Sequence, residues 1–434
     1  MLSRASIFAT LAPSIFIALA PGCGGGGETH TDTTSSSTSA SSSSSSGTGG
    51  AGGDTTSSTT SSSSSGTGGS GGCARAPGPA DGPRKLVVGH PYDADANASK
   101  VWEVLDLDAA GTLTKTGTTF EMGRAFWGEV AFTPDGKVGI AVHDDGTLGV
   151  FRFETSGEPT VVHASFKGSF YAGTVIIDPS GDGAFVLDEN WRNNGGGLYR
   201  ISIGCDGTLT DLGSVAPSKL ARGMVRLGQT PNHAVLAATD VLTSKAGDNA
   251  HLLDLGGAAP TLLAGAPAFA DDEAIISAIA RTHDDRFVLI GDNSEFASVP
   301  NRVAVVGVSG ASLTAAQTLS PIEDPVSIVT SPFDNAALVV SGYGNAFFAL
   351  GYDPGNTTAP FTVKGQVTYV GKKPQLPANA VLVDRGALRG RVWVAENEGV
   401  RQVRFEQNGD ITDIGLFSLG SEIETLVGAI GVTP

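Results

Sequence analysis

Residues Glu129 to Phe153 read EVAFTPDGKVGIAVHDDGTLGVFRF. A short apolar run meets Thr133-Pro134-Asp135-Gly136. A second run follows, then Asp144-Asp145-Gly146, then a third. Proline presets φ for a turn, and glycine supplies the positive φ that closes a tight hairpin. Short apolar runs between such turns are strands, so this stretch is an antiparallel meander.

The order of signals recurs along the chain. It returns from Thr174 to Ile203, Val225 to Leu255, Ala278 to Val308, Ser327 to Tyr352 and Ala380 to Glu406. The turn prolines Pro134, Pro179, Pro231 and Pro332 are spaced by 45, 52 and 101 residues, with His283 at the intermediate position of the last interval. A repeat of this length, built of four short strands, is a propeller blade. Several units carry a further turn, such as Cys205-Asp206-Gly207 or Asn408-Gly409-Asp410, and a fourth strand after it. One unit is split. RKLVVG (Arg84 to Gly89) and KVWEVLDLD (Lys100 to Asp108) match second and third strands with no first strand before them. The last nine residues, LVGAIGVTP (Leu426 to Pro434), match VAFTP of the opening stretch, Thr433-Pro434 falling on Thr133-Pro134. The expected fold is therefore all-β, a seven-bladed β-propeller whose C-terminal strand completes the first blade. That closure removes free sheet edges.

The remainder of the chain divides by composition. Arg4 precedes an uncharged apolar stretch from Ala5 to Ala20, too short for a spanning helix of about 20 residues and suited to an export signal. Ala18-Leu19-Ala20 offers one cleavage form. Ala20-Pro21-Gly22-Cys23 resembles a bacterial lipoprotein box, which implies that residues 1–22 are removed and Cys23 is lipidated. Lipid anchoring, plain secretion and a retained membrane stub stay open, and all three place the rest outside the cytoplasm. On the first, the protein belongs to the outer membrane, periplasm or cell surface of a bacterium. Residues 23–83 form the expected tether. From 31 to 72 every residue but Asp32, Ala40, Ala51 and Asp54 is Ser, Thr or Gly. Nothing there offsets the entropy of ordering, and a coil of that kind spans about 35 Å.

Acids outnumber bases 44 to 27, for a net charge of −17 and a pI near 4.7. Of this charge, −15 falls on residues 73–434. Such a surface argues against nucleic acid, whose phosphates require a Lys/Arg surplus. The three cysteines are too few for a disulfide-built scaffold. With Cys23 lipidated, Cys73 and Cys205 remain; the eleven residues from Cys73 to Arg84 can reach the turn that carries Cys205, so a Cys73–Cys205 disulfide and two free thiols both stay open.

The blades resemble the lactonase-like, or YVTN, seven-bladed propellers. Phe132 to Lys137, Gly207-Thr208-Leu209 and Gly111-Thr112-Leu113 carry the likeness, which covers about residues 84 to 434. It implies a hydrolase acting on a lactone or ester.

An acid or amide ends the second strand of each blade: Asp144-Asp145, Asp188-Glu189-Asn190, Asp240, Asp292-Asn293, Asn345 and Glu396-Asn397. Two readings apply. Loops at that end surround the mouth of the central channel, so these groups could form an acidic funnel for a cation, sugar or basic peptide. Equally, Asp and Asn stabilise hairpin turns. Phe126, Trp127, Phe170, Tyr171 and Trp191 fall on the same face, suited to glycan or peptide contact or to packing between blades. Glu129, at the start of an innermost strand, and Glu189 are the acids to test for catalysis. Asp93, Asp95 and Asn97 alternate like the first half of a calcium loop, but Val104 stands where the closing acid belongs. An ordinary solvated loop is the default reading, calcium is the one metal the pattern admits, and no cofactor is required. His90, His143 and His283 lie within reach of the channel ends without forming a triad. The resulting expectation is a monomeric, lipid-anchored propeller that binds a small molecule, glycan or envelope protein. A lactonase-like hydrolase and a structural envelope component are the alternatives.

Overall fold

The computed structural model describes residues 73, 75–125, 127–188, 196–219, 221–238, 240–241, 247–269, 276–293 and 301–434. Seven antiparallel sheets of the meander type follow one another along the chain. Blade two is the simplest: Ala131–Phe132, Val138–Val142, Leu148–Phe153 and Pro159–Phe166 pair in order. Second strands such as Val138–Val142 and Ala336–Ser341 are buried at every position, because sheets stack on both of their faces. Outer strands such as Pro159–Phe166 alternate between partly buried and exposed residues. Each described blade carries a fourth strand, which the sequence signalled for only several of them. A two-stranded ribbon, Ser218–Lys219 with Asp240–Val241, is added beside blade four. Among the described residues no helix is long and apolar enough to cross a membrane.

The first blade closes as its split sequence requires. Arg84–Tyr92, Ala98–Leu107 and Leu113–Glu121 supply three strands, and Ala429–Val432 the innermost. Leu86 pairs with Val432 and Gly89 with Ala429. On its other edge the C-terminal strand runs parallel to Gly128–Glu129, where the chain enters blade two. At Gly431 a Cβ would come within 2.5 Å of Val130, so only glycine allows this crossing. The repeated turn explains the match between the two Thr-Pro pairs. Thr133 Oγ1 accepts the Val138 amide (3.1 Å), and the Thr133 amide donates to the Val138 carbonyl (2.9 Å). Thr433 repeats both bonds with Lys85, at 3.0 and 2.9 Å. Closure is thus a blade hairpin whose turn has been opened. Leu86 and Ile430 of blade one pack with Val381 and Trp393 of blade seven in one buried cluster. Each such side chain contributes about 1.5–3 kcal/mol.

Described residues before Arg84 pack on the propeller. Cys73 is bonded to Cys205, with Cα atoms 5.4 Å apart. Buried Arg75 donates to the Gly204 carbonyl (2.6 Å) and to Thr133 Oγ1 (3.3 Å) and pairs with Asp135. Asp81 Oδ1 accepts the Ala387 amide of blade seven. Few apolar residues mark this strap, so composition alone could not separate it from the tether.

Candidate functional site

The acids that end the second strands are largely engaged within the protein. Asp188 is fully buried and accepts the Tyr171 amide (3.0 Å). Asp292, also fully buried, pairs with Arg302 directly across the hairpin (2.8 Å). Glu396 receives two bonds from Arg401 at 3.0 Å each. Asp144 is partly exposed and holds Arg124 at 3.0 Å. Asp145 Oδ1 accepts the amide and hydroxyl of Thr147, while Asn345 Oδ1 accepts the Leu376 amide. The Asn397 amide donates to Gln375. Asn293 is half-buried. Glu189, Asn190, Trp191 and Phe126 lie outside the described residues, as does the side chain of Asp240. Phe170 packs edge-on against Tyr199, and Tyr171 donates its hydroxyl to the Asp144 carbonyl, so both are buried. Trp127 is 38% exposed. The described members of the ring are thus mostly engaged in hydrogen bonds and ion pairs within the protein.

The Asp93 loop is an Asx turn. Asp93 Oδ1 accepts the amides of Asp95 (3.0 Å) and Asn97 (2.8 Å), and Oδ2 the Asn97 side chain. Asp108, at the next turn, accepts the Ala110 and Thr112 amides in the same way. Turn closure therefore accounts for this spacing of oxygens. His90 bridges Glu103 and the Leu426 carbonyl. His143 is buried, bonded through Nδ1 to Thr147, and burial lowers its pKa to about 4. His283 lies on a strand one-to-two turn of blade five, its carbonyl accepting from Arg281.

Of the acids singled out by sequence, Glu129 has the different setting. It borders a cavity of about 230 Å³ shared by the innermost segments of blades seven, one and two. Arg84, Phe132, Asp384, Arg385 and Pro434 complete its charged and end walls. Because Asp384-Arg385 and Thr433-Pro434 belong to strand one-to-two turns, the cavity lies toward the channel end opposite the strand two-to-three loops. Desolvation by the neighbouring channel wall raises the Glu129 carboxyl, to about 7. It remains open to water, which limits that push. Arg84 enters on the first residue of its strand and donates to the Thr433 carbonyl (2.6 Å). Burial lowers its pKa, with the nearby Arg385 charge acting in the same direction. The cavity therefore brings together a carboxyl group that can titrate near neutrality and two cations. Sequence reasoning reached Glu129 but missed Arg84, Asp384 and Arg385. Each of these stands in an ordinary turn or strand start, and only ring closure brings them together.

No protein-family model matches this chain, and no curated protein matches it in sequence. Solved structures do match in fold. A "putative 6-phosphogluconolactonase" from Bacteroides fragilis superposes with a TM-score of 0.59 at 13% identity, covering 82% of this chain and all of that one. A second protein so described, from Bacteroides uniformis, gives 0.44 at 14% identity over 78% of this chain and 84% of its own. The β-propeller domain of Cps50 (Swd1) from Myceliophteria thermophila gives 0.48 at 12% over 70% and 89%. At 13% identity the first of these likenesses bears on the fold alone.

Proposed function

We propose that this protein is an exported, lipid-anchored propeller that binds a small polar ligand in its central channel. The cavity beside Glu129 carries this reading, because a few charged groups converge there on a half-open volume in the channel wall. Its size is below the ~300–1,000 Å³ usual for larger ligands, which favours a molecule of small-metabolite size. The export signal, the lipoprotein-like Cys23 and the Ser/Thr/Gly tether support display of the domain at a membrane surface. Two measurements test the reading. Replacing Cys23 with Ser should move the protein from the membrane to the soluble fraction. A thermal-shift screen of small polar metabolites should yield a ligand whose effect, or its pH dependence, is altered by Glu129→Gln. A screen without any such ligand overturns it.

Hydrolysis of a lactone or ester is the second reading, favoured by the same carboxyl. A group with a pKa near 7 beside two cations has the makings of a general base facing an oxyanion. Turnover of lactone or ester substrates that falls ~10²–10⁴-fold in Glu129→Gln would establish this activity. Ligand binding without turnover would exclude it for the substrates assayed.

A further inference from the structure

We propose that the channel cavity holds a small oxyanion, a carboxylate or phosphate group, between the guanidinium groups of Arg84 and Arg385. The inference rests on the reading that this cavity takes a ligand, and adds the ligand's chemical class.

Three arginines are buried among the described residues: Arg75, Arg84 and Arg401. Arg75 has Asp135 within ion-pair range, and Arg401 has both Glu396 and Asp413. Arg84, only 4% exposed, has no ion-pair partner among the described residues. Its Nη1 and Nη2 reach the Thr433 and Ala80 carbonyls, and its buried Nε has no partner. Arg385 lines the same cavity, and its buried Nη2 also lacks a partner. Each guanidinium thus has an unused donor, and Arg385 disfavours the Arg84 charge, an effect that the more distant Asp384 and Asp81 offset in part. A buried donor without an acceptor is costly, and a guanidinium does not lose its proton to avoid that cost. An oxyanion between them would accept from both and cancel the repulsion. Glu129 and Asp384 stand on the same walls and restrict the fit to a single compact anionic group.

The experiment uses the full mature chain, with inorganic phosphate and acetate as probes. Sodium chloride at matched ionic strength and neutral erythritol are the controls. Unfolding midpoints and calorimetry are read for the parent protein, Arg385→Met, Arg385→Lys and Glu129→Gln. A saturable rise in midpoint with phosphate, acetate or both, absent with chloride, is the expected result; which anion acts identifies the group. Arg385→Met should bind at least about tenfold more weakly, since it removes a charge-assisted donor. Arg385→Lys should retain part of the affinity. Arg385 is the position of choice because Arg84 also braces Thr433 and Ala80. Two results overturn the proposal: both oxyanions acting no better than chloride, or Arg385→Met binding them as tightly as the parent. If erythritol binds in a manner sensitive to Glu129→Gln while both anions fail, the cavity still takes a ligand and only the oxyanion assignment falls.

Discussion

Arg401 and Arg84 are both buried, in the two blades that meet where the ring closes, yet their surroundings treat them oppositely. Arg401 is fully buried, receives two carboxylates and the Lys372 carbonyl, and lies beneath the Tyr369 ring. Asp413 in turn accepts the Val370 amide (2.8 Å), fixing the connection that leads into blade seven to the outer strand of that blade. Burial raises the Glu396 carboxyl and Arg401 pulls it back. Arg84 bonds backbone carbonyls instead, with Arg385 nearby and Asp384 and Asp81 acting on it only from beyond ion-pair distance. The first arrangement is complete without a ligand. The second leaves donors unused beside a cavity. In this molecule the charged groups with a binding role are therefore sought where the internal pairing is incomplete, not where acids are most numerous.

Removing one member of each arrangement should separate them most strongly. Arg401→Met strands two buried carboxylates, and loss of one partner from a buried ion pair costs about 3–5 kcal/mol. Arg385→Met strands none and relieves a repulsion with Arg84, so its stability should stay within about 0.5 kcal/mol of the parent. Urea unfolding of the two variants checks both values. Equal losses would erase the contrast.

The strap tests whether the environment of Arg84 depends on covalent closure. Cys73→Ser removes a crosslink over a sequence separation of 132 residues. Losses of this kind are typically 2–4 kcal/mol. Local fraying of the strap would also release the Ala80 carbonyl from Arg84, leaving a further donor unused. A fall in the urea midpoint together with faster proteolysis around 75–83 is expected. An unchanged midpoint would mean that Arg75 and Asp81 suffice to hold the strap.

His143 shows a third response to burial: it stays neutral. Its ring lies so close to Gly123 and Gly149 that a Cβ at either would come within 2.5 Å of it. Its Nε2 has no partner. With a folded pKa near 4 against an ordinary 6.5, the unfolded chain binds the proton first as pH falls. Stability contributed by the neutral ring is present above about 6.5 and is lost as pH drops toward 4, by about 2–3 kcal/mol. Unfolding free energy of the parent and of His143→Gln, measured between pH 7 and 4, should show the acid loss only in the parent. Parallel curves would refute it.

The sequence disclosed the architecture because one turn is repeated in it. Thr133, Thr282 and Thr433 each accept an amide five positions on in the blade pattern, and that chemistry requires a small hydroxyl residue at the turn. The acids at the second-strand ends were legible as positions but not as roles. Asp292 finds Arg302 only once the hairpin registers, and Glu396 shares Arg401 with an acid from the next strand. The cavity was least legible. Arg84 and Arg385 come from opposite ends of the propeller sequence, and their proximity is a product of ring closure. The strap was hidden for a related reason: Arg75 and Asp81 bind through hydrogen bonds to distant turns, which leave no periodic signal.

The smallest effect expected is at Glu129, and it is the one that probes the cavity without altering an arginine. Arg84, Arg385 and Asp384 are the charged groups on the walls it faces. The surrounding protein raises its carboxyl from 4.5 to about 7, so between those values the folded chain holds a proton that the unfolded chain has released. Stability from this group is therefore greatest below about 4.5, falls as pH rises, and is gone above about 7. Water in the channel screens the effect, keeping it below about 1 kcal/mol. Glu129→Gln keeps the shape and removes the titration. It should be slightly more stable than the parent at pH 8 and indistinguishable from it at pH 4. An oxyanion bound between the arginines would lie near this carboxyl, so its ionisation should also weaken anion binding as pH rises through 7. The glutamine variant should lose that dependence while retaining affinity. If parent and variant show the same pH profile for both stability and binding, Glu129 is an ordinary solvated acid, and the contrast with the engaged acids of the second-strand ends would have to be drawn from Arg84 and Arg385 alone.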